Sequence, residues 1–303
     1  MRIQWFPGHM HKAGKEIKAA LPDIDVLIEV LDARIPFSSQ NPMLARLRQD
    51  KPTIRVLAKS DLADPELTHR WQASMEREQG VKTLAVSTRQ PDKIRRIQPM
   101  CAAMAARRQA SGRVIRCMIM GIPNVGKSTL INILAGRAIA KTGDEPAVTK
   151  MQQKINLGDD IILSDTPGIL WPNLENRNSG YRLAVTGAIR DTAFEYDDIA
   201  LFALDYLLLA YRPLLQQRYR LTNPPADAGA ALTEIAARRG CLRAGGEPDL
   251  PRAAKLFLTE LRAGRLGPLT LETPEMAAAE QMELEQQRAA RAGGENVFLH
   301  QQV

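Results

Sequence analysis

Residues 121–128 read Gly-Ile-Pro-Asn-Val-Gly-Lys-Ser, which is the GxxxxGK[ST] pattern of a phosphate-binding loop. The apolar stretch 114–120 precedes the loop and predicts a strand, and a helical pattern begins at 127. Glycines let the backbone curl around phosphate groups and point its N–H groups at them. The alternative is a glycine turn that happens to precede a lysine. The strand–loop–helix context favours a nucleotide site in an α/β domain.

This loop and the residues after it predict the phosphate and magnesium contacts. Lys127 is expected to reach the β- and γ-phosphates, and the hydroxyl of Ser128 is expected to bind Mg²⁺. Asp165 ends an apolar segment and begins Asp-Thr-Pro-Gly, where an acid can hold Mg²⁺ through water and Gly168 can donate its N–H to the γ-phosphate. Thr149 lies between the two motifs and could complete the Mg²⁺ shell, although a lone threonine is also an ordinary surface hydroxyl.

A candidate guanine-reading motif, Lys59-Ser60-Asp61, precedes the phosphate loop. The Asp61 carboxylate can accept hydrogen bonds from guanine N1–H and the 2-amino group, a donor pair that adenine lacks, while the stem of Lys59 lies along the ring. Ser87 and Thr88 end the next strand-like segment and could frame the base. In an ordinary small GTPase the base reader follows the phosphate loop, so the order here is rotated.

Charge and cysteine content narrow the class of protein. The 303-residue chain has a formal net charge of +7 and a sequence pI near 9.4, which suggests a polyanionic partner, with nucleic acid first. On charge alone, a merely solvated basic surface is an equally good explanation. Cys101, Cys117 and Cys241 have neither zinc spacing nor a disulfide framework, which indicates a reducing compartment. The most apolar window, 199–211, is too short to span a bilayer, and no hydrophobic signal region begins the chain. We therefore expect a cytoplasmic protein without a membrane partner.

Strand-like and helical segments alternate as far as Asp165, and only helical patterns follow. Apolar strands are predicted at 24–33, 53–58, 81–87 and 114–120, with a hairpin at 152–157 and 160–164 and a basic helix at 92–110. The alternation predicts an α/β domain over 1–178 with a mostly parallel sheet and flanking helices. The stretch 171–180 predicts a linker, followed by a helical domain over 179–275 and a helical or flexible tail over 276–303.

The predicted helical domain carries a run of basic residues. They are Arg238, Arg239, Arg243, Arg252, Lys255, Arg262 and Arg265. Taken singly, each is best explained as part of a solvated helical face, but the cluster beside a nucleotide domain favours RNA binding. Few aromatic residues lie nearby, so the contacts would be electrostatic and shape-based.

These motifs, in this rotated order, resemble the YlqF/RbgA family of circularly permuted ribosome-assembly GTPases. The resemblance covers roughly 1–275 and includes Trp-Phe-Pro-Gly-His-Met at 5–10, Leu-Asp-Ala-Arg at 31–34, Leu-Ala-Val-Thr-Gly-Ala-Ile at 183–189 and the run at 264–274. It implies a circularly permuted phosphate-loop GTPase domain followed by a small all-helical RNA-binding domain. It also implies that the protein binds GTP, GDP and Mg²⁺. GTP hydrolysis would be coupled to late maturation of the large ribosomal subunit precursor, and we expect a monomer.

The resemblance also assigns roles to single residues. Ile169 stands where classical GTPases place the glutamine that orients water, and the family implies His9 as the catalytic group, with a structural or RNA-contacting histidine as the alternative. Asn124 matches an asparagine that coordinates K⁺ in related GTPases lacking that glutamine, where the cation can replace an arginine finger. Ala58 and Ala147 stand where the family has Asn and usually Gly, so one base contact is missing here.

The full set of residues predicted to contact the nucleotide joins both halves of the rotated order. It comprises Lys59, Asp61, Ser87, Thr88, Asn124, Val125, Gly126, Lys127, Ser128, Thr129 and Gly168, with Lys127, Thr149 and Gly168 assisting His9 in catalysis. Two other classes remain open from sequence: an ATP-using phosphate-loop enzyme, and an RNA-binding scaffold that keeps a nucleotide without coupled turnover.

Overall fold

The computed structural model describes residues 9–42, 48, 50–140, 153–166, 176–221 and 225–299, with side chains described between 15 and 290. A six-stranded sheet forms the centre of the N-terminal part. Its strands are β1 Val26–Asp32, β2 Thr53–Ala58, β3 Val81–Ala85, β4 Ile115–Gly121, β5 Gln153–Gly158 and β6 Ile161–Asp165. They run in the order β3-β2-β1-β4-β6-β5, and only the β5–β6 pair is antiparallel. The predicted mostly parallel sheet with a terminal hairpin is confirmed.

The central strands β1 and β2 are buried along their whole length, which explains their nearly continuous apolar sequences. Within their interiors, β1 carries the charged residue Glu29 and β2 carries Arg55, and the two charges face one another. Glu29 and Arg55 are register partners on neighbouring strands, with Arg55 Nε 3.1 Å from Glu29 Oε2. The pair neutralises two charges that the core could not hold separately.

Among the described residues before β5, six α-helices with established bounds accompany the sheet. They are α1 His9–Ala20, α2 Pro65–Met75, α3 Pro91–Arg95, α4 Ile97–Met104, α5 Ala106–Ala110 and α6 Lys127–Ala135. The prediction of one basic helix over 92–110 is wrong, since three short helices occupy it. One break falls at Arg96 because Pro99 lacks an N–H and its ring would clash with the carbonyl of Arg95 in a continuous helix.

In the described residues after β6 the regular elements are helices, as predicted. Its helices are α7 Arg177–Val185, α8 Tyr196–Ala210, α9 Arg212–Tyr219, α10 Ala228–Arg238, α11 Leu250–Arg262 and α12 Pro274–Leu299. Helices α8, α10 and α11 pack together around buried Leu204, Leu232, Ile235 and Phe257. None of the helices in the described ranges is long and apolar enough to cross a membrane.

The linker predicted over 171–180 differs from the structure in its last part. Residues 171–175 lie outside the described ranges, but 177–180 already belong to α7. Asn176 caps this helix, because its side chain accepts a hydrogen bond from the Ser179 N–H at 3.1 Å. The predicted domain boundary at 178 therefore falls inside a helix.

The predicted boundary at 276 also falls inside a helix, since α12 starts at Pro274. The first turns of α12 pack on α2: Ala277 is buried in a cluster with Trp71, and Arg70 pairs with Glu275 at 2.7 Å. The beginning of the predicted tail is thus part of the folded protein.

The strand order explains where the functional residues gather. The chain runs from β1 outward to β2 and β3, and then crosses to β4 on the other side of β1. Ligands of open α/β sheets bind at such a switch point, outside the carboxyl ends of the parallel strands. Asp32, Lys59, Ser87, Asp165 and the loop after Gly121 all follow or end strands at this edge.

Candidate nucleotide site

The phosphate loop leaves β4 at a point of close packing. A Cβ added to Gly121 would lie 2.6 Å from the carbonyl oxygen of Val30 on β1, so only glycine fits between the two strands. The loop ends at Gly126, which has φ 97° and immediately precedes α6. Lys127, Ser128 and Thr129 form the first turn of that helix, where free N–H groups favour an anion.

The loop lysine and the strand-end acid form a buried ion pair. Lys127 Nζ donates to Asp165 Oδ1, and the two residues are only 5% and 1% exposed. Burial lowers the pKa of Lys127 and raises the pKa of Asp165, and the attraction between their charges opposes both shifts. Asp165 is the register partner of Ile119, so the β4–β6 pairing itself delivers the acid to the loop. The predicted phosphate and magnesium groups therefore lie together.

The base-reading segment reaches the same place from β2. Lys59 has φ 57° and its Nζ donates to the Asn124 carbonyl oxygen at 2.7 Å. The Ser60 N–H donates to the Val86 carbonyl at 3.0 Å, which joins this segment to the loop after β3. In that loop Ser87 is buried and Thr88 is exposed. The Asp61 side chain is one-quarter exposed, 25%, with Arg89 Nε 3.3 Å from its carboxylate.

Asn124 is held from two sides. Its backbone has φ 57°, its carbonyl accepts from Lys59, and its side-chain Nδ2 donates to the carbonyl oxygen of Gly187 at 2.9 Å. Gly187 follows α7, so the phosphate loop touches the helical part of the chain directly. Nothing in the sequence indicates this contact, because Asn124 and Gly187 are 63 residues apart.

Sequence reasoning also left Asp32 and Arg34 without a role beyond marking the family. Both side chains are 2% exposed, and Arg34 donates to Asp32 through Nε at 2.9 Å and Nη2 at 2.7 Å. Lys59 Nζ lies 3.1 Å from the same carboxylate. Although burial favours the neutral acid, the charges of Arg34 and Lys59 hold the pKa of Asp32 well below its usual range. Asp32 thus fixes the lysine that would lie along the base.

Several predicted residues cannot be placed. His9 is the first residue of α1, but its side chain is outside the described set, and Thr149 and Gly168 lie outside the described residues altogether, as do Ala147 and Ile169. Val125 is buried in the loop. Within the described residues no three His, Cys, Asp or Glu side chains group as a metal site.

The basic residues of the helical part divide into two groups. Arg238, Arg243, Arg252, Lys255 and Arg265 are exposed. Arg239 is partly buried and pairs with Glu260, a buried acid that also accepts from Arg218 at 2.6 Å. Arg218 lies outside the basic run of the sequence, so only the packing of α9 on α11 reveals it. Arg262 is turned toward α7, where it donates to the carbonyls of Ala184 and Val185.

Known proteins match both the sequence and the fold. Residues 116–224 match the family model described as 50S ribosome-binding GTPase. Ribosome biogenesis GTPase A of Bacillus pumilus is 45% identical to this chain, in an alignment that covers 91% of this chain and 100% of that relative. The protein of the same name from Thermotoga maritima is 31% identical, in an alignment that covers 90% of this chain and 95% of that relative.

Two solved structures agree with the fold. A GDP-bound YlqF is 28% identical with a TM-score of 0.63, covering 86% of this chain and 99% of that one. A GNP-bound YlqF from T. maritima is 27% identical with a TM-score of 0.61, covering 88% and 99%. With the rotated motif order and the buried Lys127–Asp165 pair, these matches lead to one conclusion: the chain belongs to the ribosome biogenesis GTPase A family, also called YlqF/RbgA.

Proposed function

We propose that this GTPase binds the large ribosomal subunit precursor in its GTP state, acts late in maturation, and leaves when GTP is hydrolysed. GTP hydrolysis and a part in ribosome biogenesis follow from its family. The large subunit as target is supported by the family model, whose description names the 50S ribosome. The observation that carries the proposal is the meeting of phosphate loop, acid and base reader at one edge of the sheet.

The residues at this edge suit GTP with Mg²⁺. Lys127 would turn from Asp165 to the β- and γ-phosphates, and Asp61 would accept from the guanine edge while Lys59 lies along the ring. Ser128 and Asp165, with Thr149, would hold Mg²⁺, which neutralises charge on the phosphates when bound. Gly168 would donate its N–H to the γ-phosphate. The buried Lys127–Asp165 pair supports this arrangement, because both groups already share one site of low exposure.

We assign the activation of water to His9. Ile169 has no polar group with which to orient water, and His9 begins α1 within the segment that marks the family. Slow intrinsic turnover follows if the ribosomal subunit has to position this histidine.

A monovalent cation is proposed at Asn124. K⁺ there would place positive charge beside the phosphates, as an arginine finger does elsewhere. The Gly187 carbonyl supports this role indirectly, because it fixes the orientation of the Asn124 amide.

We propose that the helical part binds ribosomal RNA through its basic face. The contacts would come from Arg238, Arg239, Arg243, Arg252, Lys255 and Arg265, to which Arg218 is added. Arg218, Arg239 and Arg265 share the one buried carboxylate of Glu260, with Arg265 Nη1 3.9 Å from Glu260 Oε1. Three positive charges meet one negative charge, so the cluster has excess positive charge for backbone phosphates. Arg262 is left out because its guanidinium already donates to carbonyls of α7 and to Asp191. Action as a cytoplasmic monomer is part of the same proposal.

One experiment tests the proposal: GTP hydrolysis with and without purified large subunits, in K⁺ and in Na⁺ buffers. Stimulation by the subunits, greater in K⁺, is expected. Absence of stimulation would instead support a scaffold without coupled turnover. Equal competition by ATP and GTP for bound labelled GDP would mean that Asp61 does not read guanine.

A further inference from the structure

Backbone hydrogen bonds at the C-terminal turn of α7 fix the conformation of Gly187. Gly187 has φ 81°, its N–H donates to the Ala184 carbonyl at 3.1 Å, and the Ala188 N–H donates to the Leu183 carbonyl at 2.9 Å. This pair of bonds is the Schellman motif, in which glycine at the left-handed position ends a helix. The motif aims the Gly187 carbonyl outward to the phosphate loop, where Asn124 donates to it.

Arg262, the last residue of α11, caps the same turn. Its Nε donates to the Val185 carbonyl at 3.0 Å and its Nη2 to the Ala184 carbonyl at 2.8 Å. Carbonyls at a helix C-terminus lack partners within the helix and carry partial negative charge, so a guanidinium there is favourable. A Cβ added to Gly187 would lie 3.3 Å from Arg262 Nε, which shows how closely the guanidinium covers this residue.

Two further contacts hold Arg262, one through its guanidinium and one through its backbone carbonyl. Its Nη2 lies 3.0 Å from Oδ1 of Asp191, and Asp191 is held in turn by the Tyr196 hydroxyl at 2.8 Å. The backbone carbonyl of Arg262 accepts from Arg34 Nη1 at 3.4 Å. The Arg262 side chain is 23% exposed and that of Asp191 is 41% exposed, so this ion pair lies at the surface, whereas the bonds from Arg262 to the two α7 carbonyls are partly buried.

The contacts close into a ring around the nucleotide site. From Asn124 the bonds run to Gly187, whose turn is capped by Arg262, and from the Arg262 carbonyl to Arg34. Arg34 binds Asp32, Asp32 binds Lys59, and Lys59 returns to the Asn124 carbonyl. The phosphate loop, base reader and helical part are therefore linked by side-chain contacts that bypass the covalent chain between β6 and α7.

We propose that Arg262 is a positioning residue for GTP hydrolysis, which acts through the Gly187 carbonyl on the side chain of Asn124 in the phosphate loop. The inference rests on GTP turnover by this protein, and it gives Arg262 a role inside the protein in place of RNA contact. Lysine cannot replace the arginine here, because a single ammonium cannot bridge two helix carbonyls and a carboxylate with the geometry of a planar guanidinium.

The test compares Arg262→Lys, Asn124→Ala and the double variant in steady-state GTP hydrolysis without ribosomes. Arg262→Lys is expected to lower kcat about tenfold while KM stays within about twofold, because Lys59 still holds the loop backbone that cradles the phosphates. Arg77→Lys, at an exposed site after α2, is the matched control and should leave both constants unchanged.

The double variant distinguishes an effect of Arg262 that passes through Asn124 from a general destabilisation of the fold. If Arg262 acts through Asn124, the double variant should be no slower than Asn124→Ala alone, whereas multiplied losses would overturn the inference. Wild-type kcat in Arg262→Lys would overturn it equally. Should Arg262→Lys not fold, Asp191→Asn replaces it, with about a threefold loss of kcat expected and none if the inference is wrong. Absence of turnover in the wild type both alone and with purified large subunits would instead contradict the proposed function.

Discussion

Lys59 Nζ donates to the backbone carbonyl of Asn124 at 2.7 Å, across 65 residues of sequence. The bond ties the segment proposed to read the base to the phosphate loop, so the parts proposed to hold the two ends of the nucleotide have a fixed separation. It does not depend on which part comes first in the chain, because β1 and its neighbours β2 and β4 set the distance. The rotated order therefore preserves the site.

Asp61→Asn is expected to weaken guanine binding about 100-fold. The Asn amide would turn a donor toward the N1–H and 2-amino donors of guanine. Xanthine has a carbonyl at C2 in place of the amino group, so a xanthine nucleotide should bind Asp61→Asn more tightly than it binds the wild type. Competition of GDP and XDP against a labelled nucleotide measures both changes. Asp92→Asn makes the same chemical change at a carboxylate that is 94% exposed, and should alter neither affinity. Equal loss of GDP and XDP would show that Asp61 supports the loop and does not read the base.

Lys127→Met should abolish measurable GTP binding and also destabilise the protein by about 3 kcal/mol. The second effect arises because the Asp165 carboxylate, 1% exposed, would lose the cation that offsets its burial. Double substitution with Asp165→Asn should recover most of the stability but none of the binding. Urea unfolding and nucleotide titration measure the two properties separately. A Lys127→Met protein as stable as the wild type would mean that the pair is not a buried ion pair in solution.

His9→Ala should leave GDP affinity unchanged and lower subunit-stimulated kcat about 100-fold, the usual contribution of a positioned acid or base. His69→Ala removes an exposed histidine of α2 and is the control. A stimulated rate equal to that of the wild type would take His9 out of the reaction.

The sheet could be predicted from sequence because its signals are local. Runs such as Thr53–Ala58 are apolar enough to require burial. The glycines and the lysine of the loop at 121–128 predict the phosphate site. The links between the two halves could not be predicted, because their partners are far apart in sequence. Ser38 and Glu272 are 234 residues apart, yet the Ser38 N–H donates to this buried carboxylate at 2.9 Å. The basic run likewise did not reveal that Arg262 faces inward while Arg265 faces solvent. Arg262 is the last residue of α11 and Arg265 follows it, so the position at which the helix ends sets the two orientations.

Glu280→Gln should lower the free energy of unfolding at pH 7 by about 1–2 kcal/mol. Glu280 on α12 accepts from Arg182 at 2.7 Å and from Asn176 and Asn178 at 2.6 and 2.9 Å, which ties α12 to the start of α7. Burial raises the pKa of Glu280, but the hydrogen bonds from Arg182 and Asn176 outweigh it and lower the pKa below the usual value.

The pH dependence of this effect follows from the sign of the shift. The folded protein releases the Glu280 proton more readily than the unfolded chain, so the stabilisation is complete above the unfolded pKa of about 4.3 and is lost as pH falls below it. The difference between wild type and Glu280→Gln should therefore shrink between pH 5 and pH 3 in urea unfolding. Glu283→Gln, on the same helix, should show no comparable difference at either pH.

Binding to the large subunit should separate the outward arginines from Arg262. Arg243→Ala and Arg252→Ala each remove an exposed guanidinium, so each should weaken binding and reduce the slope of log affinity against log salt by about one. Arg262→Gln, which removes the charge as the two alanine variants do, should leave the slope unchanged, because the Arg262 guanidinium is occupied by Ala184, Val185 and Asp191 and releases no counterion on binding. Sedimentation with purified subunits at several salt concentrations gives all three slopes. A reduced slope for Arg262→Gln would mean that the contacts of Arg262 to α7 open when RNA binds, while unchanged slopes for Arg243→Ala and Arg252→Ala would place the RNA on another face.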